Sequence, residues 1–114
     1  MNYWVDKGVD GFRLDVINVI SKDVSQYYVD SLIKGHKVCA NGPHVHEYIQ
    51  EMNQKVFSRK ELLTVGETPA VTIEDGQKYA PLDNSELSMI FQFELMDVDG
   101  GETNKWSDQR FVLK

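Results

Sequence analysis

Two carboxylates and one guanidinium stand out among apolar stretches. The run GVDGFRLDVIN, residues 8–18, sets Arg13 and Asp15 among Phe12, Leu14, Val16 and Ile17. A charge placed among core-type residues is costly unless it is paired or has a function. The run LLTVGETP, residues 62–69, carries an apolar stretch up to Glu67 in a similar way. An arginine beside an aspartate favours the ionised carboxylate, which is what a carboxylate nucleophile needs. Glu67, if shielded from Arg13, would hold its proton and serve as an acid. One carboxylate kept charged and one kept protonated is the working pair of a retaining glycosidase. The residues alone leave a second reading open. Arg13 and Asp15 would then form a buried salt bridge, and Glu67 would be an acid at a helix entrance, favoured by the helix dipole.

The elements that must position these groups alternate in type. MNYWVDKG reads as the end of a helix, with Trp4 and Val5 on its apolar side and Gly8 as its stop. GFRLDVI, residues 11–17, reads as a strand, which would point Arg13 and Asp15 to the same side. Residues 21–42 read as a long irregular connection, a feature that inside a compact domain is usually functional. Residues 43–57 read as a helix, with Val45, Tyr48, Ile49, Met52 and Val56 on one face and Pro43 in the first turn. LLTVG, residues 62–66, reads as a buried strand ending at Glu67. Thr72 and Asp75 form a capping-box-like pair that starts the next helix, IEDGQKYA. Residues 87–93 read as a third strand, and the tail from Asp97 to Lys114 shows no clear element. Alternation of this kind predicts α/β architecture with parallel strands. The candidates are a doubly wound sheet and a slice of a (β/α)8 barrel. In both, the strands' C-terminal ends share one edge, which carries the chemistry and would bring Asp15 and Glu67 together.

Bulk properties exclude several classes. The 114 residues suffice for one small domain and not for two. The net charge of -6 argues against nucleic acid or an anionic membrane as a partner. The run-in MNYWVDKG lacks the apolar segment of a signal peptide. The lone Cys39 cannot close an internal disulfide, which points to a reducing, cytoplasmic setting. The spacing DVDGGE, residues 97–102, does not match an EF-hand loop. His36, His44 and His46 read as loop or surface residues rather than metal ligands. Tyr27, Tyr28, Phe91 and Phe93 are candidates for stacking on sugar rings, with core packing the favoured role for the two phenylalanines.

These same motifs carry a family resemblance. DGFRLDVIN, residues 10–18, resembles the second signature region of the α-amylase family of glycoside hydrolases, family 13, and LLTVGETP resembles the third. KGHKVCANGPHVHEYIQEMN, residues 34–53, and MIFQFELMDVDGGETNKW, residues 89–106, extend the resemblance over essentially the whole chain. They point to the oligo-1,6-glucosidase and α-glucosidase branch. The resemblance implies that Asp15 is the nucleophile and Glu67 the general acid/base. Arg13 would hold the nucleophile, and Val16 would line the sugar pocket, where valine goes with α-1,6 preference. It implies a TIM barrel, with residues 1–114 a fragment spanning about its fourth to sixth strands and their helices. No cofactor is expected, because the family's calcium loop lies outside this segment. The family's first and fourth regions, with the third catalytic aspartate, are also missing, so the isolated fragment is expected to be inactive. The expected partner is an oligosaccharide, and open sheet edges invite self-association. The alternatives are a trehalose-6-phosphate hydrolase or another α-glucosidase of the same branch. A catalytically dead glucosidase-like partner chain is disfavoured, because both carboxylates are present.

Overall fold

In the computed structural model, the described residues are 1–22, 29–30, 37–38 and 40–93. The sequence places α1 at Asn2–Asp6, β1 at Gly11–Leu14, and two short strands, β2 (Val29–Asp30) and β3 (Lys37–Val38). These precede α2 (Val45–Lys55), β4 (Leu63–Thr68), α3 (Ile73–Tyr79) and β5 (Met89–Gln92). The main sheet has the order β1-β4-β5. Both pairings are parallel, with Arg13 opposite Val65 and Glu67 opposite Phe91. The expected parallel alternation is therefore present.

The periodicity of α2 works through burial. Val45 and Ile49, one turn apart, are almost fully buried, and Val56 just past the helix end is buried with them. Met52 packs partly against this cluster. Tyr48 departs from expectation and is 43% exposed, because it lies at the edge of the stripe. Pro43 precedes the helix rather than entering its first turn. Thr72 caps α3 as expected: its Oγ1 accepts from the Asp75 amide at 3.2 Å and donates to the Asp75 carboxylate at 3.1 Å. Lys78 and then Thr72 hold the Asp75 carboxyl below the usual aspartate range. Gly76 sits inside α3 because the helix passes close to β5; a Cβ there would meet Ile90 Cδ1 at 3.0 Å.

The two faces of the sheet differ. Phe12, Leu14 and Ile90 turn toward the helices and pack on their core. On the other face Arg13, Leu63, Met89 and Phe91 are exposed, and Val65 and Glu67 lie between them in register. A doubly wound sheet carries helices on both faces. One helix-covered face beside one open face is the arrangement of a barrel slice, whose inner face is closed by the remaining strands. Phe91, expected to prefer core packing, is 47% exposed because it belongs to this inner face. Trp4 is 57% exposed, and α1 contributes only Val5 to the core.

Several boundaries move. β1 stops at Leu14 instead of 17, because Val16 takes the left-handed region at φ 42 and turns the chain. Glu67 lies inside β4 rather than past its end. The connection over 21–42 contains the antiparallel pair β2/β3 and is not wholly irregular. Cys39, His36, Tyr27, Tyr28, Phe93's downstream neighbours and the tail over 97–114 with its DVDGGE run lie outside the described residues.

A polar clasp fastens α2 to the segment leading into β5. The buried Glu86 carboxylate accepts from Gln50 Nε2 at 2.9 Å and meets His46 Nδ1 at 2.9 Å. The His46 ring lies 4.7 Å from that of fully buried Tyr79. Burial, and then the nearby Glu86 and Asp75 charges, push the Tyr79 phenol well above its ordinary value of 10.0. The folded chain thus holds the phenolic proton more tightly than the unfolded chain. Its stabilising contribution is complete below about pH 10 and fades as pH rises beyond it. Urea denaturation between about pH 10 and 12 should show stability falling with pH, with a shallower slope in Tyr79→Phe. Equal slopes in the two proteins would remove Tyr79 from this role.

Candidate active site

Each of the four site residues expected from sequence lies at the C-terminal edge of the parallel sheet. Arg13 is the third residue of β1, Asp15 and Val16 form the turn after it, and Glu67 is the fifth residue of β4. The Arg13 guanidinium reaches both acids: Nη1 donates to Asp15 Oδ1, and Nη2 donates to Glu67 Oε2. Residues distant in sequence therefore meet within the span of one planar cation, whose fork suits two carboxylates.

Arg13 and Asp15, two residues apart, reach the same side and bond to each other, as expected. Two expectations need correction here. Glu67 is not shielded from Arg13 but is bound by it directly. The salt bridge of the second reading forms but is not buried in this chain. The side chains of Arg13 and Asp15 are 50% and 71% exposed, and that of Glu67 is 21% exposed. The cluster lies on the inner face of the sheet, not among the helices' core residues.

Local packing explains why the chain bends this way. Gly66, just before Glu67, lets the turn Ile17–Val19 settle against β4. A Cβ at Gly66 would come within 2.6 Å of Leu87 Cδ1 and 3.0 Å of Ile17 Cγ2. Val16 pays for that settling with a left-handed backbone, which a β-branched residue rarely adopts. Thr68, fully buried, donates to the Phe91 carbonyl at 3.0 Å and fixes the end of β4 on β5. Sequence reasoning missed Asn18 and Asn41, which tie the site's loops together. The signal available was Asn18 at a position otherwise suited to an apolar residue. Among the described residues no group of three or more His, Cys, Asp or Glu is arranged to hold a metal ion.

The chain matches the family "Alpha amylase, catalytic domain" over residues 1–113. It is 47% identical over 110 residues to an oligo-1,6-glucosidase of Bacillus cereus, an alignment covering 93% of this chain and 20% of that protein. It is 44% identical over 107 residues to a trehalose-6-phosphate hydrolase of Bacillus subtilis, covering 94% of this chain and 19% of the relative. The crystal structure of Bacillus licheniformis trehalose-6-phosphate hydrolase superposes with a TM-score of 0.77 at 40% identity, over 97% of this chain and 20% of that one. The chain thus spans about a fifth of the length of these relatives.

Because the Arg13 cluster is exposed, it contributes little to folding. Arg13→Gln should change the unfolding free energy by less than about 1 kcal/mol in a denaturant titration. A loss of several kcal/mol would mean that Arg13 is a structural ion-pair partner after all.

Proposed function

The chain belongs to the α-amylase catalytic-domain family, and from that premise we propose that it is the central segment of a retaining α-glucosidase acting on α-1,6 bonds of short oligosaccharides. The observation that carries the reading is the convergence of Asp15 and Glu67 on one guanidinium at the C-terminal edge of parallel strands. The β1-β4-β5 sheet, with its helices on one face, is part of the family's (β/α)8 barrel.

In this mechanism an Asp15 carboxylate oxygen attacks the anomeric carbon of the substrate. The glycosidic C–O bond breaks as Glu67 delivers its proton to the departing oxygen. Water then attacks the glycosyl ester, giving its proton to Glu67 and freeing Asp15, so the anomeric configuration is retained. Arg13 orients Asp15 and balances its charge. The glycosidic oxygen takes Arg13's place beside Glu67 as substrate enters. In the complete barrel the two carboxyl groups stand about 5 to 5.5 Å apart, the spacing retention needs.

The α-1,6 preference rests on Val16, the residue after the nucleophile, and is supported by likeness to oligo-1,6-glucosidase. The second reading, cleavage of a phosphorylated disaccharide, is supported by likeness to trehalose-6-phosphate hydrolase. It requires a cationic phosphate clamp, and a direct assay on trehalose 6-phosphate separates the two. The proposed setting is the cytoplasm. No helix among the described residues is long and apolar enough to cross a membrane.

In the complete barrel, Asp15→Asn should abolish nearly all turnover of isomaltose, measured by glucose release; a variant keeping substantial rate would overturn the nucleophile assignment. Val16→Ala should shift the ratio of kcat/KM for maltose over isomaltose upward, within a range of about 10- to 200-fold. A flat ratio with a lowered melting temperature would reduce Val16 to a packing residue.

A further inference from the structure

The turn that follows Asp15 and the loop that follows β4, just past Glu67, are fastened to each other by asparagine side chains. Asn18 follows Asp15 in the turn Ile17–Val19 and is fully buried. Its Nδ2 donates to the carbonyl of Pro69 at 2.7 Å, in the loop that follows Glu67, and to Asn41 Oδ1 at 3.1 Å. Asn41 closes the circuit from a third loop. Its backbone amide donates to the Asn18 carbonyl at 2.8 Å, and its Nδ2 donates to the Ala70 carbonyl at 3.3 Å. Tyr79 Oη donates to Asn41 Oδ1 at 2.7 Å and anchors the circuit on α3. Asn41 itself sits at φ 56, a left-handed conformation that asparagine accepts more readily than most residues.

Asn18 is a poor choice for stability alone. Its Oδ1 is buried without a partner among the described residues. A buried acceptor left unmade is costly, and an apolar side chain of similar volume would avoid that cost. What the amide supplies is direction: one nitrogen holds the Pro69 carbonyl and the Asn41 amide oxygen at set distances from the Asp15 turn.

We infer that Asn18, anchored by Asn41, is a positioning residue that sets the spacing between Asp15 and Glu67. The inference rests on the glycosidase reading above. In the first chemical step the nucleophile and the proton donor act on two ends of one breaking bond, so their separation must match the substrate. A displacement of about 1 Å at such a site costs roughly 100-fold in rate. Loosening the Asn18 link frees the Pro69 end of β4, and with it Glu67, to shift relative to Asp15. Proton delivery suffers most, because Asp15 keeps its bond to Arg13 on β1 while Glu67 loses the tie beyond its strand end.

Leaving-group dependence reads this out. Isomaltose releases a sugar alkoxide and needs the proton from Glu67, whereas a dinitrophenyl α-glucoside releases a stable anion and does not. In the complete barrel, Asn18→Ser should lower kcat/KM on isomaltose by about 10- to 100-fold. On the dinitrophenyl substrate it should fall much less, and Asn41→Ser should show the same split. A merely structural role would lower both substrates by the same factor, through loss of folded protein, and that result, or no loss on either substrate, overturns the inference. Should neither serine variant fold, Tyr79→Phe keeps the ring, removes only the hydroxyl on Asn41, and carries the same test with the same two outcomes. Glu67→Gln is measured alongside. If it spares the dinitrophenyl substrate while Asn18→Ser lowers both alike, the inference alone falls. If Glu67→Gln lowers both alike, the acid/base reading falls and the inference with it.

Discussion

A single guanidinium lying between two carboxylates sets the requirements for everything around it. Arg13 can meet Asp15 and Glu67 together only if β1 and β4 are adjacent, parallel and in the observed register. Parallel neighbours require a crossover between them, and here the crossover runs through α2. The crossover must bury an apolar stripe, and Val45 and Ile49 supply it. The chain must also leave β1 by a turn rather than an extended run, so that Ile17 packs against Gly66 of β4. The exposed charged cluster thus contributes little to stability itself, while the buried layer behind it exists in a form that holds the cluster together.

The stabilising interactions lie on the opposite side of the sheet from the chemistry. Phe12, Leu14 and Ile90 face the helices, and the Glu86 clasp ties α2 to the approach of β5. The inner face keeps Leu63, Met89 and Phe91 exposed beside Arg13. This division follows from the strand's period of two: successive residues alternate between a face packed against the helices and a face left open. In β4 the alternation is visible residue by residue, with Thr64, Gly66 and Thr68 buried and Leu63, Val65 and Glu67 less so.

Polar groups at the sheet's C-terminal edge do two different kinds of work. Arg13, Asp15 and Glu67 are partly or largely exposed and free to exchange partners. Asn18, Asn41 and Tyr79 lie beneath them and are held by short, directed hydrogen bonds.

The amino-acid sequence by itself determined the alternation of elements, the parallel pairing of strands, the stripe of α2, the Thr72 cap and the placement of Asp15 and Glu67 at one edge of the sheet. These follow from periodicity, capping chemistry and the rule that parallel strands end on one edge, all of which act locally or through topology. The family resemblance added roles for Arg13 and Val16 that spacing alone left open. Only the tertiary structure decided that Arg13 binds Glu67 as well as Asp15, because that contact joins side chains from two strands and depends on register. The same holds for the end of β1 at Leu14. Residues 15–17 look like strand in sequence, yet the room left at Gly66 draws Ile17 inward and forces Val16 into a left-handed turn. Asn18 and Asn41 were invisible for the same reason: an asparagine in sequence reads as loop chemistry, and only packing reveals which distant carbonyl its amide will find.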